Sequence, residues 1–331
     1  MNTGNLAGHL QRFFTDRLLG QLGASRHTVA SYRDTFRLLL KFASQDLRRQ
    51  PNDMNVEDLD AKLVGSFLKH LERDRRNSAR SRNNRLSAIH AFFAYVSLNE
   101  PALASHCQRV LAIPFKRFDR GPVEFLTGEE TTALLKAPDT TTWLGRRDQL
   151  LLEVAVQTGL RNSELTSLRR QDVQLGVGAH IRCLGKGRKA RCTPLRSDVA
   201  AHLAQWLAKQ PSDPATPVFP TADGNVISSD ALQRLVVRHV STAGKKCPSL
   251  QKKRVTPHTL RHTTAMDLLH RGVDITVIAL WLGHESIQTT HIYLHADMAM
   301  KEKALAQATK NQVVPKRYRP TDRLLAFLES L

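Results

Sequence analysis

The sequence has no two cysteines in C-x-x-C spacing and only four cysteines in 331 residues. That argues against a zinc ribbon and against a disulfide scaffold. No apolar run approaches the roughly 18 residues that a membrane-spanning helix needs. The N-terminus, MNTGNLAGHLQRFF, lacks the basic start and the apolar stretch of a secretory signal. A G-x-x-x-x-G-K-[ST] phosphate loop is missing, so no ATP site is expected, and no internal repeat is found. The expectation is a cytoplasmic protein with ample length for two or three domains. Cys183 and Cys192 either face each other across a hairpin or, in a reducing compartment, are small apolar fillers.

Acidic residues are also scarce relative to basic ones: 49 Lys+Arg against 30 Asp+Glu give a net charge of +19. Up to Arg120 there are 20 basic and 11 acidic residues, and beyond it 29 and 19. Both halves are therefore basic, and the excess is no tail. An acidic membrane surface attracts such a chain too, but no basic amphipathic anchor stands out. Nucleic acid held from two sides is the better reading.

The periodicity predicts a mainly α fold with a small antiparallel β-sheet. In SRHTVASYRDTFRLLLKFA, Val29, Tyr32, Phe36, Leu39 and Ala43 mark one helical face, with Ser25 as N-cap. Val64, Phe67, Leu68 and Leu71 mark a second helix, and Leu86, Ile89, Phe93 and Val96 a third. The third opens with Arg80, Arg82 and Arg85, which form either a solvated face or, preferred in so basic a region, a phosphate-contacting one. IPFKRFDRGPVEFLTGEE reads as a linker ending in a capping box at Thr127 and Glu130. HIRCLGKGRKARCTPL reads as a strand hairpin, and STAGKKCPSLQKKRV as a basic loop. The expected domains are residues 1–115, a linker over 116–126, residues 127–314, and a tail helix over 315–331.

Several short words carry chemistry, and each has a bland reading. In QTGLRNSELTSLR, Arg161 and Glu164 are three apart, which suits a surface ion pair. Lys186 sits on the glycine-flanked hairpin turn, where a lysine is usually just solvated; Arg188 and Lys189 follow it. In HTLRH, His258 and His262 are one helical turn apart, the spacing of zinc-binding H-E-x-x-H, but Thr259 stands where the glutamate would be. His291 and His295 form a second such pair, yet they bracket Tyr293. His284 follows the helix-ending Gly283, and Tyr293 between apolar neighbours suits half-buried packing.

In order, the words T-G-L-R, G-K-G, H-x-L-R-H, L-G-H and Tyr, carrying Arg161, Lys186, His258, Arg261, His284 and Tyr293, resemble the catalytic set of the tyrosine recombinases, or phage-integrase family. The resemblance runs from about Leu126 to Tyr293, behind a helical, basic N-terminal domain of the SAM-like, core-binding kind. It implies a two-domain, C-shaped clamp on double-stranded DNA recombination sites. Tyr293 would be the nucleophile that forms a 3′-phosphotyrosyl link, Lys186 the general acid for the 5′-hydroxyl, His258 a base or proton relay, and His284 a hydrogen-bond donor to the phosphate. Glu164 would orient its neighbours and His262 support Arg261. Arg161 and Arg261 suit the non-bridging oxygens because a guanidinium donates two parallel hydrogen bonds, which lysine cannot. The phosphotyrosine retains the bond energy, so neither metal nor other cofactor is needed.

The same resemblance implies a tetramer of identical or mixed subunits, strand exchange through a Holliday junction, and action on the bacterial nucleoid. Arg80, Arg82, Arg85, Arg188 and Lys189 are the expected DNA contacts. The run TPHTLRHTTAMDLL and the 38 residues after Tyr293 look more like integrases of transposons and other mobile elements than Xer-type resolvases. A Xer-like resolvase, a type IB topoisomerase and a DNA-binding regulator without catalysis are the alternatives.

Overall fold

The computed structural model describes residues 5–118, 123–185, 190–284 and 286–296. The chain forms two compact units, residues 1–121 and 122–331. Both are mainly helical, and the second holds the one sheet found among the described residues.

In the first unit, α1 (Leu6–Arg12) continues as a π-helical segment, Phe13–Gln21. Then come α2 (Arg26–Leu47), α3 (Ala61–Arg73), α4 (Ala79–Asn99) and α5 (Ala104–Leu111). Side chains that satisfy otherwise unpaired N–H groups start the long helices. Ser25 accepts from the Thr28 amide at 3.1 Å, Asp60 from Leu63 at 2.7 Å and Ser78 from Ser81 at 3.2 Å. The apolar stripes meet in one core: Phe36, Leu39 and Ala43 of α2, Val64, Phe67, Leu68 and Leu71 of α3, and Leu86, Ile89, Phe93 and Val96 of α4 are all buried. Val29 and Tyr32, at the open end of the α2 stripe, are half-buried. Phe13, Phe36 and Phe92 pack edge to face at centroid distances of 5.2–6.3 Å, the favoured geometry for aromatic rings.

The three arginines of α4 differ. Arg80 is exposed and Arg85 half-buried. Arg82, expected to face phosphate, is instead buried, and its Nη1 donates to the Pro114 carbonyl at 2.9 Å and to Asn83 Oδ1 at 3.0 Å. Asn83 in turn accepts from the Lys116 amide and donates to its carbonyl, while Lys116 Nζ pairs with Glu72 at 2.8 Å. Arg82 stands four residues before Leu86 and seven before Ile89, so the helical repeat puts it at the head of the apolar stripe, where the chain leaving α5 covers it.

In the second unit, α6 (Gly128–Leu135), α7 (Trp143–Thr158) and α8 (Asn162–Ser167) precede three antiparallel strands in the order β1 (Val173–Gln174), β2 (His180–Leu184), β3 (Ala190–Pro194). Then follow α9 (Ser197–Leu207), α10 (Ser229–Gly244), α11 (Pro257–His270), α12 (Ile275–Leu282) and α13 (His291–Ala296). Thr127 and Glu130 form the reciprocal capping box that opens α6. Glu130 also holds Lys253, whose Nζ lies 2.6 Å from its carboxylate and donates to the Phe125 carbonyl at 2.9 Å. The stretch expected as a basic loop is more ordered than that: α10 runs to Gly244 and Pro248–Lys252 form a 3₁₀ turn.

In the hairpin, Arg182 pairs with Cys192 and Cys183 with Arg191. Successive side chains alternate between faces, so Cys183 is buried and Cys192 exposed, and the two do not face each other. Burial pushes the Cys183 thiol up to about 11, as befits an apolar filler. Among the described residues no helix is long and apolar enough to cross a membrane.

Candidate active site

The site is assembled at the C-terminus of α12, where elements far apart in sequence converge. Gly159 ends α7 in the left-handed conformation at φ 63°, and an added Cβ would sit 2.7 Å from Leu282 Cδ2. That turn sends the chain directly into Arg161, whose extended backbone precedes α8. Arg161 donates from Nη2 to the Gly283 carbonyl at 2.7 Å and from Nη1 to Glu164 Oε1 at 2.9 Å. From α11, buried Arg261 donates to the Gly159 carbonyl and to the Leu282 carbonyl, each at 2.7 Å. Two guanidiniums thus grip adjacent carbonyls at the end of α12, where unpaired C=O groups favour positive charge.

Glu164 holds the cluster together. Its carboxylate accepts from the Arg161 amide at 2.7 Å and takes a bidentate pair from Arg191 on β3 at 2.9 and 2.8 Å. Arg191 Nε also donates to the Trp281 carbonyl at 3.2 Å. Gly283, at φ 65°, has the Arg191 guanidinium where a Cβ would be, with Nη1 at 2.8 Å; this is why a glycine precedes His284. Burial alone would raise the Glu164 pKa. Hydrogen bonds from Arg191 and the Arg161 amide, with the Arg191 charge, outweigh it and bring the carboxyl down to about 2. Arg191 escaped the sequence reading. Its signal was weak: it shares the inward face of the hairpin with Cys183 and Ile181, and an inward arginine demands a buried acid.

His284 Nδ1 lies 2.7 Å from Thr290 Oγ1, and its ring stacks near that of Tyr293 at 6.5 Å. Tyr293, on α13, is only 1% exposed, and its hydroxyl lies 2.9 Å from His262 Nδ1. His262 had been expected to support Arg261; it meets Tyr293 instead, because α11 turns successive residues by about 100° and aims the two side chains apart. His258, one turn earlier, packs edge to face on His262 with centroids 4.2 Å apart. Lys186, Arg188, Lys189 and the expected tail helix lie outside the described residues.

Burial sets the protonation of the site. It draws His262 down to about 4, aided by repulsion from His258 and Arg261, and His284 down to about 4, aided by Arg261, Arg161 and Arg191. It pushes Tyr293 up to about 12 against the pull of Arg261, and lowers Arg261 to about 10, with Arg161 repelling it. At neutral pH the His262 and His284 imidazoles and the Tyr293 phenol are uncharged, and three guanidiniums outnumber one carboxylate by two charges. Arg161, with its side chain 31% exposed, still offers N–H donors to solvent. The arrangement has the net positive charge to receive an anion, with the Tyr293 hydroxyl held by His262 in the same cluster. Among the described residues, no three His, Cys, Asp or Glu side chains are gathered to hold a metal ion.

Known proteins place this architecture. The phage integrase family model matches residues 124–300, and the phage integrase N-terminal SAM-like domain model matches residues 11–98. A Sinorhizobium fredii protein named as an integrase/recombinase, y4rC, is 53% identical over 327 residues, covering 99% of this chain and 98% of its own. The tyrosine recombinase XerC of Pelobacter propionicus is 32% identical, covering 87% of this chain and 90% of its own. In fold, the chain is similar to the Tn1549 transposon integrase in complex with a circular intermediate DNA. That match has a TM-score of 0.67 and 15% identity, and covers 90% of this chain and 98% of that one. The chain belongs to the phage integrase family. It is a tyrosine recombinase, an enzyme with the mainly α, small-sheet fold expected of that class.

Proposed function

We propose that this recombinase cuts and rejoins duplex DNA at specific sites for a mobile element, with Tyr293 as its nucleophile. The observation that carries the reading is the convergence of Arg161, Arg261, His284 and the Tyr293–His262 pair on one end of α12. Arg161 and Arg261 take the non-bridging oxygens of the scissile phosphate and stabilise the charge that grows in the pentavalent transition state. His284 donates to the same phosphate, and His258 serves as a base or proton relay beside it. The Tyr293 Oη–P bond forms as the P–O5′ bond breaks, and Lys186 gives its proton to the departing 5′-oxygen. The 3′-phosphotyrosyl bond keeps the energy for rejoining, so strands exchange through a Holliday junction.

Residues 1–115 serve as the core-binding domain and residues 127–314 as the catalytic domain, each basic and each binding DNA, joined by residues 116–126. The +19 net charge supports that partner, as does the DNA in the Tn1549 complex. Two sites are joined, so four subunits, identical or mixed, assemble on them, with residues 315–331 linking neighbours. The 53% match along the full length to an integrase/recombinase, against 32% to XerC, supports the mobile-element role over a resolvase.

The test is the protein–DNA adduct that survives SDS, formed on DNA flanking the gene. Tyr293→Phe is expected to bind that DNA and form no adduct. An adduct that persists in Tyr293→Phe overturns the reading.

A further inference from the structure

We propose that His262 is the general base that takes the Tyr293 proton, which leaves His258 the relay rather than the base; the role rests on Tyr293 being the nucleophile. The hydroxyl that must lose its proton lies 2.9 Å from His262 Nδ1, within the reach a base requires. The two rings also touch, with centroids 5.4 Å apart, and the pair is sheltered: Tyr293 is buried and His262 half-buried. In the tautomer a base requires, the neutral imidazole carries its own proton on Nε2 and Nδ1 accepts from the Tyr293 hydroxyl. His258 packs on the His262 ring at 4.2 Å and fixes its plane, so Nδ1 stays aimed at the oxygen.

The proton moves late. In the unliganded site His262 is drawn down to about 4 and Tyr293 pushed up to about 12, so no phenolate forms at rest. As the Oη–P bond forms, the phenolic oxygen gives up electron density and its proton becomes strongly acidic. It then passes to Nδ1, while the 5′-oxygen leaves with a proton from Lys186. In joining, the 5′-hydroxyl gives its proton to Lys186 and attacks phosphorus, the Oη–P bond breaks, and the imidazolium returns its proton to Oη. One residue therefore serves both directions, and an idle enzyme keeps its nucleophile neutral.

Two variants separate a base from a prop. His262→Ala removes acceptor and base. His262→Asn places an amide oxygen near the Nδ1 position, keeping the hydrogen bond but accepting no proton. Both are expected to bind site DNA in gel shift as the wild type does, and to slow adduct formation and joining by roughly 10²–10⁴-fold. A fluorinated, more acidic tyrosine at position 293 should restore most of the lost rate in His262→Ala and little of it in Lys186→Ala. The base role is overturned if His262→Asn cleaves at the wild-type rate, if the fluorinated tyrosine gives no rescue, or if both variants lose DNA binding, which marks a packing role. Tyr293→Phe run in parallel keeps the two readings apart: loss of its adduct with normal cleavage by the His262 variants sinks only the base.

Discussion

Replacing Glu164 by glutamine tests whether the arginine cluster is held by charge. The carboxylate is 7% exposed, accepts four hydrogen bonds from Arg161 and Arg191, and titrates at about 2 against an ordinary 4.5. A drop of that size corresponds to about 3 kcal/mol of native-state stabilisation. The cost of breaking a buried ion pair, about 3–5 kcal/mol, agrees. For a unit of this size each kcal/mol moves the midpoint by about 2–4 °C, so Glu164→Gln should melt roughly 6–12 °C below wild type at pH 7. The sign with pH follows from the lowered pKa: the stabilisation is whole above about 4.5 and fades as pH falls toward 2. The melting gap between the two proteins should therefore hold steady from pH 8 to 5 and narrow below that. Arg191→Met should partly relieve the defect, so the double variant loses less than the sum of the singles. Calorimetry across pH reads all three. A Glu164→Gln midpoint within roughly 2 °C of wild type at pH 7, or a gap that widens in acid, refutes the reasoning.

Three further substitutions separate roles that the sequence alone runs together. Lys186→Ala should slow cleavage by roughly 10²–10⁴-fold, and a substrate with sulfur at the 5′-bridging position, a better leaving group, should recover most of it; equal defects on both substrates would assign Lys186 to binding. On α4, exposed Arg80→Ala should weaken DNA binding and reduce the salt slope by about one ion, with melting unchanged. Arg82→Ala should instead lower the melting temperature of the first unit, because it leaves the Pro114 carbonyl unpaired and empties a buried site; a changed salt slope with normal melting would return it to the DNA face.

Features that a few neighbouring residues decide were legible along the chain. Ser25 and the Thr127–Glu130 box cap their helices through bonds spanning three residues. The stripes on α2, α3 and α4 follow from the helical repeat, and the order of the short words from T-G-L-R to Tyr293 led to the family. Which groups meet follows from packing across the fold. Arg161 reaches a carbonyl 122 residues away, Arg191 reaches Glu164 across 27, and His262 reaches Tyr293 across 31. The helical repeat puts Arg82 on the face of Leu86 and Ile89 and Arg80 off it, and the strand alternation turns Arg191 inward, but which carbonyl and which acid they meet depends on packing. The same held for the cysteines, whose faces were set by a one-residue register in the hairpin. Periodicity is written along the chain because each residue's neighbours in a helix or strand are its neighbours in sequence. Contacts at the end of α12 arise only when α7, α11, α13 and β3 have packed, so burial, partner and pKa at each of those side chains belong to the fold.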